Sequence, residues 1–263
     1  MDWIEANGAA LRYQLQGTGP ATVVLIHEMG GTLESWDEVA PRLARRRRVL
    51  RYDTRGAGLS EKIRGIASID TMADDLAGLL EALAIGAKVA VAGIAVGGAI
   101  AIHFAARHAG RTAALIAMSP AIGMAPERRA ATLANIDAME AGGLRAGMDA
   151  ALAPSYPQAL RGDRARFART RAQRLGNDPA SQAAIYRMLV GLDLSADLAA
   201  ITCPTLVIAG RLDGLRPPAV VEPVARAIVG AEYTVLETAH FMAAQTPELI
   251  ADAIERFLER QGI

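Results

Sequence analysis

Lys88-Val89-Ala90-Val91-Ala92-Gly93-Ile94-Ala95-Val96-Gly97-Gly98-Ala99 is the stretch on which the fold turns. Residues 88–92 form a short apolar run of strand length, and 97–108 is an apolar segment of helical length. Between them the spacing Gly-x-Ala-x-Gly sets glycines two before and two after Ala95. Glycines at those positions give the backbone room for a sharp strand-to-helix turn, the context in which G-x-S-x-G presents a serine nucleophile. Here the central residue is alanine, which has no atom able to attack a carbonyl. In a chain rich in Ala and Gly the bare string means little, so the flanking strand and helix carry the reading.

Outward from this turn the same alternation continues. Runs at 22–26, 48–52, 112–118, 205–209 and 232–236 read as strands, and 69–84, 218–229 and 247–260 as helices with apolar residues at three-to-four spacing. Residues 11–15, preceded by Asn7-Gly8, read as an N-terminal hairpin. Strands alternating with helices define an α/β fold with a mostly parallel sheet and helices on both faces. The rhythm breaks between 120 and 199, where helix-like stretches at 127–141, 162–175 and 181–189 are separated by Pro154, Pro157, Gly176 and Pro179. This gives a core of residues 1–119 and 200–263 with a helical lid insertion at 120–199. Leaving from the end of the 112–118 strand, the lid would roof the carboxyl ends of the strands, where open α/β sheets bind ligands. A purely stabilising helical layer is the alternative.

The chain has 263 residues, of which 52 % are hydrophobic and 21 % charged, enough to bury a core and too apolar for disorder. Its 28 Lys and Arg balance 28 Asp and Glu, which removes the basic field of a nucleic-acid binder and leaves a small-molecule substrate as the expected partner. Arg45–Arg48 is read as a solvated charge run. The single cysteine, Cys203, excludes an intrachain disulfide and a cysteine-built metal site, and is read as a small core residue. No apolar run reaches the ~18 residues that span a bilayer, and the start of the chain lacks the pattern of a signal peptide. A cytoplasmic protein, free of membrane, is expected; homo-oligomerisation stays open. No phosphate-binding glycine loop follows a strand and no metal-ligand spacing occurs, so neither cofactor nor metal is expected.

Two later strands end in groups that carry chemistry. Strand 205–209 runs into Gly210-Arg211-Leu212-Asp213, and strand 232–236 into Glu237-Thr238-Ala239-His240. A sharp turn, then an acid, then a histidine after the last strand is the chain order of one hydrolytic triad. Of the four histidines only His240 lies on a late strand-end loop, and it is the expected catalytic histidine, with Asp213 as its orienting acid. A turn cap is the plainer role for Asp213. The loop Ile26-His27-Glu28-Met29-Gly30-Gly31 is placed to supply one backbone N–H of an oxyanion hole, that of Met29, and Val96 the other. Glu28 either faces the site as an extra base or a charge that selects substrate, or turns outward into solvent, the more ordinary orientation. Ser119, ending the 112–118 strand, is a candidate pocket residue.

With these residues in view the chain resembles the α/β-hydrolase superfamily over nearly its whole length. Tyr52-Asp53-Thr54-Arg55-Gly56-Ala57-Gly58-Leu59-Ser60 looks like its D-x-R-G-x-G-x-S segment. Ile201–Gly210, Arg216-Pro217-Pro218 and Thr238-Ala239-His240 are similar to the C-terminal blocks of 3-oxoadipate enol-lactonases and of hydrolases that split carbon–carbon bonds in aromatic ring-fission products. The resemblance implies hydrolysis of a small carboxylated or enolisable substrate in aromatic compound catabolism. The chain departs from the pattern at Glu28, commonly glycine there, and at Ala95. That alanine is either natural, with His240 acting as general base on water or substrate, or an engineered replacement of a serine nucleophile. A non-catalytic ligand-binding or sensor protein on the same fold is the opposing reading.

Overall fold

The computed structural model describes all 263 residues. Eight strands form one sheet: β1 (Asp2–Ala6), β2 (Ala9–Gln16), β3 (Thr22–Ile26), β4 (Arg48–Tyr52), β5 (Val89–Ile94), β6 (Thr112–Met118), β7 (Thr205–Gly210) and β8 (Glu232–Leu236). Their order is β1-β2-β4-β3-β5-β6-β7-β8, with β3 to β8 parallel and the β1–β2 hairpin antiparallel at one edge. Asn7 and Gly8 both adopt positive φ, 49° and 69°, the two-residue turn whose twist matches paired strands.

Helices α1 (Ala40–Leu43), α2 (Ile69–Ala82) and α3 (Val96–Arg107) connect the first strands. The segment between β6 and β7 holds α4 (Pro126–Gly142), α5 (Met148–Ser155), α6 (Arg164–Leu175), α7 (Pro179–Gly191) and α8 (Ser195–Ala200), followed after β7 by α9 (Pro218–Arg226), α10 (Met242–Gln245) and α11 (Pro247–Arg260). Helices α5 and α8 are absent from the sequence reading. Pro154 reads as a break, but it falls one residue before α5 ends, so the hydrogen bond it forgoes belongs to the last turn and the helix is closed there, not interrupted. Helix α9 stops at Arg226, three residues short of expectation.

Alternate residues of each inner strand feed opposite faces. Val24, Ile26, Val91, Leu115 and Val207 pack with α2, α3 and α9, while Val23, Leu25, Ala92, Ile116 and Ile208 pack with α1 and α11. Both strand faces are apolar because both are covered. Two expectations fail at the margins. Arg47 is buried, its guanidinium donating twice to the main-chain oxygen of Ile263 at 3.1 and 2.7 Å, so the arginine run is only partly solvated. Cys203 is half-buried against the core rather than inside it.

The strand order reverses at β3, since the chain crosses from β4 back past β3 to β5. The crevice beyond the carboxyl ends of β3 and β5 is therefore a topological switch point, the usual ligand site of an open sheet. The turn after β5 fits there only with glycine at positions 93 and 97. A Cβ on Gly93 would lie 2.1 Å from the Gly97 carbonyl oxygen, and one on Gly97 would lie 2.4 and 2.5 Å from the carbonyl oxygens of Ile26 and His27. Gly97→Ala is expected to lower stability by about 3 kcal/mol, the upper part of the usual range for overpacking, as read by urea denaturation.

Candidate active site

Ala95 sits at the turn with φ 53° and ψ −110°, a conformation that costs a residue bearing a Cβ roughly 1–2 kcal/mol. Hydrogen bonds on both sides hold it there. Its N–H donates to the Met118 carbonyl at 2.9 Å, and its carbonyl accepts from Ala121 at 2.9 Å and Ala99 at 3.0 Å. The next residue, Val96, is the first of α3, so its N–H belongs to the unpaired donors of a helix start. Val96, Met29, Gly30 and His27 line one small cavity of about 10 Å³. The loop carrying Met29 is fixed from below: the Asp53 carboxylate accepts the N–H groups of Leu33 at 2.7 Å and Leu59 at 2.8 Å, and Thr54 N–H donates to His27 Nε2 at 3.1 Å. This is the structural reason for the 52–60 segment.

Asp213 and His240 meet. His240 Nδ1 lies 2.8 Å from Asp213 Oδ2, and both residues are buried. The other carboxylate oxygen accepts the N–H groups of Leu215 and Arg216, each at 2.9 Å, so Asp213 caps its turn and holds the imidazole at once. Burial pushes the Asp213 carboxyl up, but the hydrogen bond and charge of His240 and the Arg216 N–H outweigh it and keep the carboxyl below its ordinary range. With Nδ1–H given to the acid, Nε2 is the lone-pair nitrogen of the neutral ring.

Helix α5, missed in the sequence, positions both loops. Its Pro154 carbonyl accepts from Gly214, and its Ser155 carbonyl accepts from His240 N–H at 3.2 Å and from Gln245 Nε2 at 2.9 Å. No sequence signal pointed to it, because these partners lie some 60 to 90 residues away along the chain.

One candidate is placed differently from its more ordinary orientation. Glu28 is not solvated. It is 1 % exposed, accepts from Ser35 Oγ at 3.2 Å, and forms a buried ion pair with Arg174 of α6. The Arg174 guanidinium also stacks 3.6 Å above the ring centroid of Phe241, the neighbour of His240. Asn177 Nδ2 donates to the Gly30 carbonyl at 3.0 Å. The insertion is thus clamped to the Met29 loop by a charge pair and a hydrogen bond. Ser119 is fully buried with φ 40°, its N–H donating to the Ile208 carbonyl at 2.8 Å and its Oγ without a hydrogen-bond partner. No group of three or more His, Cys, Asp or Glu side chains is arranged to hold a metal ion, and no helix is long and apolar enough to cross a membrane.

The family model described as serine aminopeptidase, S33 matches residues 18–242, and the chain belongs to this α/β-hydrolase family. A thermophilic esterase from Thermogutta terrifontis superposes with a TM-score of 0.93 at 27 % identity, covering 99 % of both chains. The enol-lactonase from Burkholderia xenovorans LB400 gives 0.90 at 28 % identity, covering 98 % of this chain and 100 % of that one. Among curated proteins, 3-oxoadipate enol-lactonase 1 of Acinetobacter baylyi is 26 % identical over 96 % of this chain and 94 % of its own. Two further curated relatives, 37 % and 34 % identical over about 100 residues, are matched over only 30 % and 28 % of their own lengths.

Removing one partner of the Glu28–Arg174 pair strands a buried charge, so Arg174→Ala is expected to cost about 3–5 kcal/mol. Urea denaturation checks this, and Glu28→Gln in the Arg174→Ala background should recover part of the loss. Asp213, with a depressed native pKa, contributes stability that is complete above the ordinary Asp value of about 3.9 and is lost as pH falls through its lower native value. The stability gap between the protein and Asp213→Asn should therefore narrow as pH drops below about 4.

Proposed function

We propose that the protein hydrolyses a small ester or lactone without a covalent intermediate, using His240 as general base on water. The observation that carries this reading is the buried 2.8 Å His240–Asp213 hydrogen bond, which leaves Nε2 as the basic nitrogen on a site whose turn keeps its strained geometry although Ala95 offers no nucleophile. In this scheme Nε2 takes a proton from water as the water oxygen bonds to the substrate carbonyl carbon. The negative charge moves to the carbonyl oxygen, where the N–H groups of Met29 and Val96 receive it. The tetrahedral intermediate then collapses, the carbon–oxygen bond to the leaving group breaks, and the imidazolium returns its proton to the departing alkoxide or enolate. Asp213 holds the ring tautomer and the imidazolium charge. Residues 120–199 serve as the lid, clamped through Arg174 and Asn177, over a core of 1–119 and 200–263.

The full-length similarity to an esterase and to two enol-lactonases supports an ester or lactone as substrate. A carbon–carbon bond beside a ketone is the further substrate class, supported by 35 % identity over 109 residues to a 2-hydroxy-6-oxo-2,4-heptadienoate hydrolase of Pseudomonas putida. Ala95 favours a second reading, a binding protein that has given up catalysis on this fold.

The two readings separate on a panel of 4-nitrophenyl esters, lactones and ring-fission diketones. His240→Ala should lower turnover by about 10²–10⁴-fold, the usual worth of a general base, with thermal stability little changed. Equal turnover in both proteins removes His240 from the chemistry, and no turnover in either supports the binding role. Ala95→Ser should become labelled by a fluorophosphonate while the unaltered chain does not, because in this reading the restored hydroxyl meets His240 at the turn.

A further inference from the structure

A second cleft, of about 560 Å³, opens between α4, α5 and the start of α7, outside the small cavity at the turn. Its volume falls within the range of small-molecule sites, roughly 300–1,000 Å³. Nine of its 15 lining residues are hydrophobic and none is charged. Among the charges on these helices, Arg187 pairs with Asp137 and Glu140 and Asp149 pairs with Arg171, while Glu127, Arg128 and Arg129 of α4 and the exposed Arg145 of the α4–α5 connection are not among the lining residues. Glycine and alanine hold the cleft open. At Gly142 and Gly147 nothing lies within 4 Å of where a Cβ would stand.

Two links join this cleft to the site already described. Gln182 lines both the cleft and the small cavity shared by Met29 and Val96, and its Oε1 is buried with no hydrogen-bond partner. On the other wall, Leu144 and Met148 pack in one apolar cluster with Phe241, the residue after His240.

We propose that the cleft binds an uncharged, apolar portion of the substrate, an alkyl chain or a single aromatic ring, with Gln182 at the neck between that portion and the reacting carbonyl. This deepens the hydrolase reading and rests on it for its purpose, but the binding event stands without turnover. Selection follows from desolvation. A carboxylate entering the cleft loses its hydration and finds no cation, which is costly, whereas an alkyl or aryl group gains about 25 cal/mol for each Å² removed from water. The preferred substrate is accordingly a neutral-tailed ester or lactone, and a carboxylate-tailed analogue is disfavoured.

The neutral fluorescent probe N-phenyl-1-naphthylamine tests this on the intact protein. Saturable binding at one probe per chain is expected, displaced by hexyl acetate and not by adipate at the same concentration. Ala151→Phe and Ala138→Phe fill the cleft from α5 and α4, and each should weaken the probe at least tenfold with an unchanged thermal midpoint. Two positions are used so that one failed fold does not decide the result. Absence of saturable binding, displacement by adipate as strong as by hexyl acetate, or affinity unmoved by both fillings overturns the proposal. Probe binding that follows the expected pattern in a protein with no esterase or lactonase turnover upholds the cleft and defeats the hydrolase reading instead.

Discussion

The site depends on one steric constraint, the contact of the first turn of α3 with the end of β3. Gly97 rides directly on the carbonyls of Ile26 and His27, so close that even a methyl group would overlap them. That approach carries the Val96 N–H to the loop that bears Met29, and it forces the intervening residue into left-handed φ. Ala95 accepts this strain, which glycine would avoid, because β6 and the residues after it hold its N–H and carbonyl in place. The turn is thus maintained by backbone contacts alone, and it keeps its shape whatever side chain stands at its apex.

Much of this was legible in the sequence because it is local. Asn7-Gly8 announces a hairpin through its need for positive φ, the inner strands betray a doubly covered sheet by their consecutive apolar residues, and Asp213 and His240 follow late strands in the order a triad requires. What escaped is held by distant partners. The Glu28–Arg174 pair joins residues 146 apart, so nothing near Glu28 in sequence distinguishes a buried, paired carboxylate from a solvated one. Arg47 hides inside a charge run because its acceptor, Ile263, lies 216 residues on. Helix α5 was lost to Pro154, a residue that in sequence breaks a helix and in the structure closes one.

Those long-range pieces tie the insertion to the loops of the candidate site. Arg174 reaches from α6 to Glu28 on one side and to Phe241 on the other, and α5 supports the loops of Asp213 and His240. A movement of the insertion would be felt at both the Met29 loop and the histidine, since each is bonded to it. Glu28 is matched by this arginine, and its burial makes sense only with that partner in view.

In the proposed mechanism hydrolysis proceeds by water attack under His240 with no bond between substrate and protein. Intact-mass spectrometry of the chain, quenched on the millisecond scale during turnover of a 4-nitrophenyl ester, addresses it most directly. An unchanged protein mass while product accumulates linearly from the first turnover is the predicted result; a transient acyl adduct on any residue would contradict it.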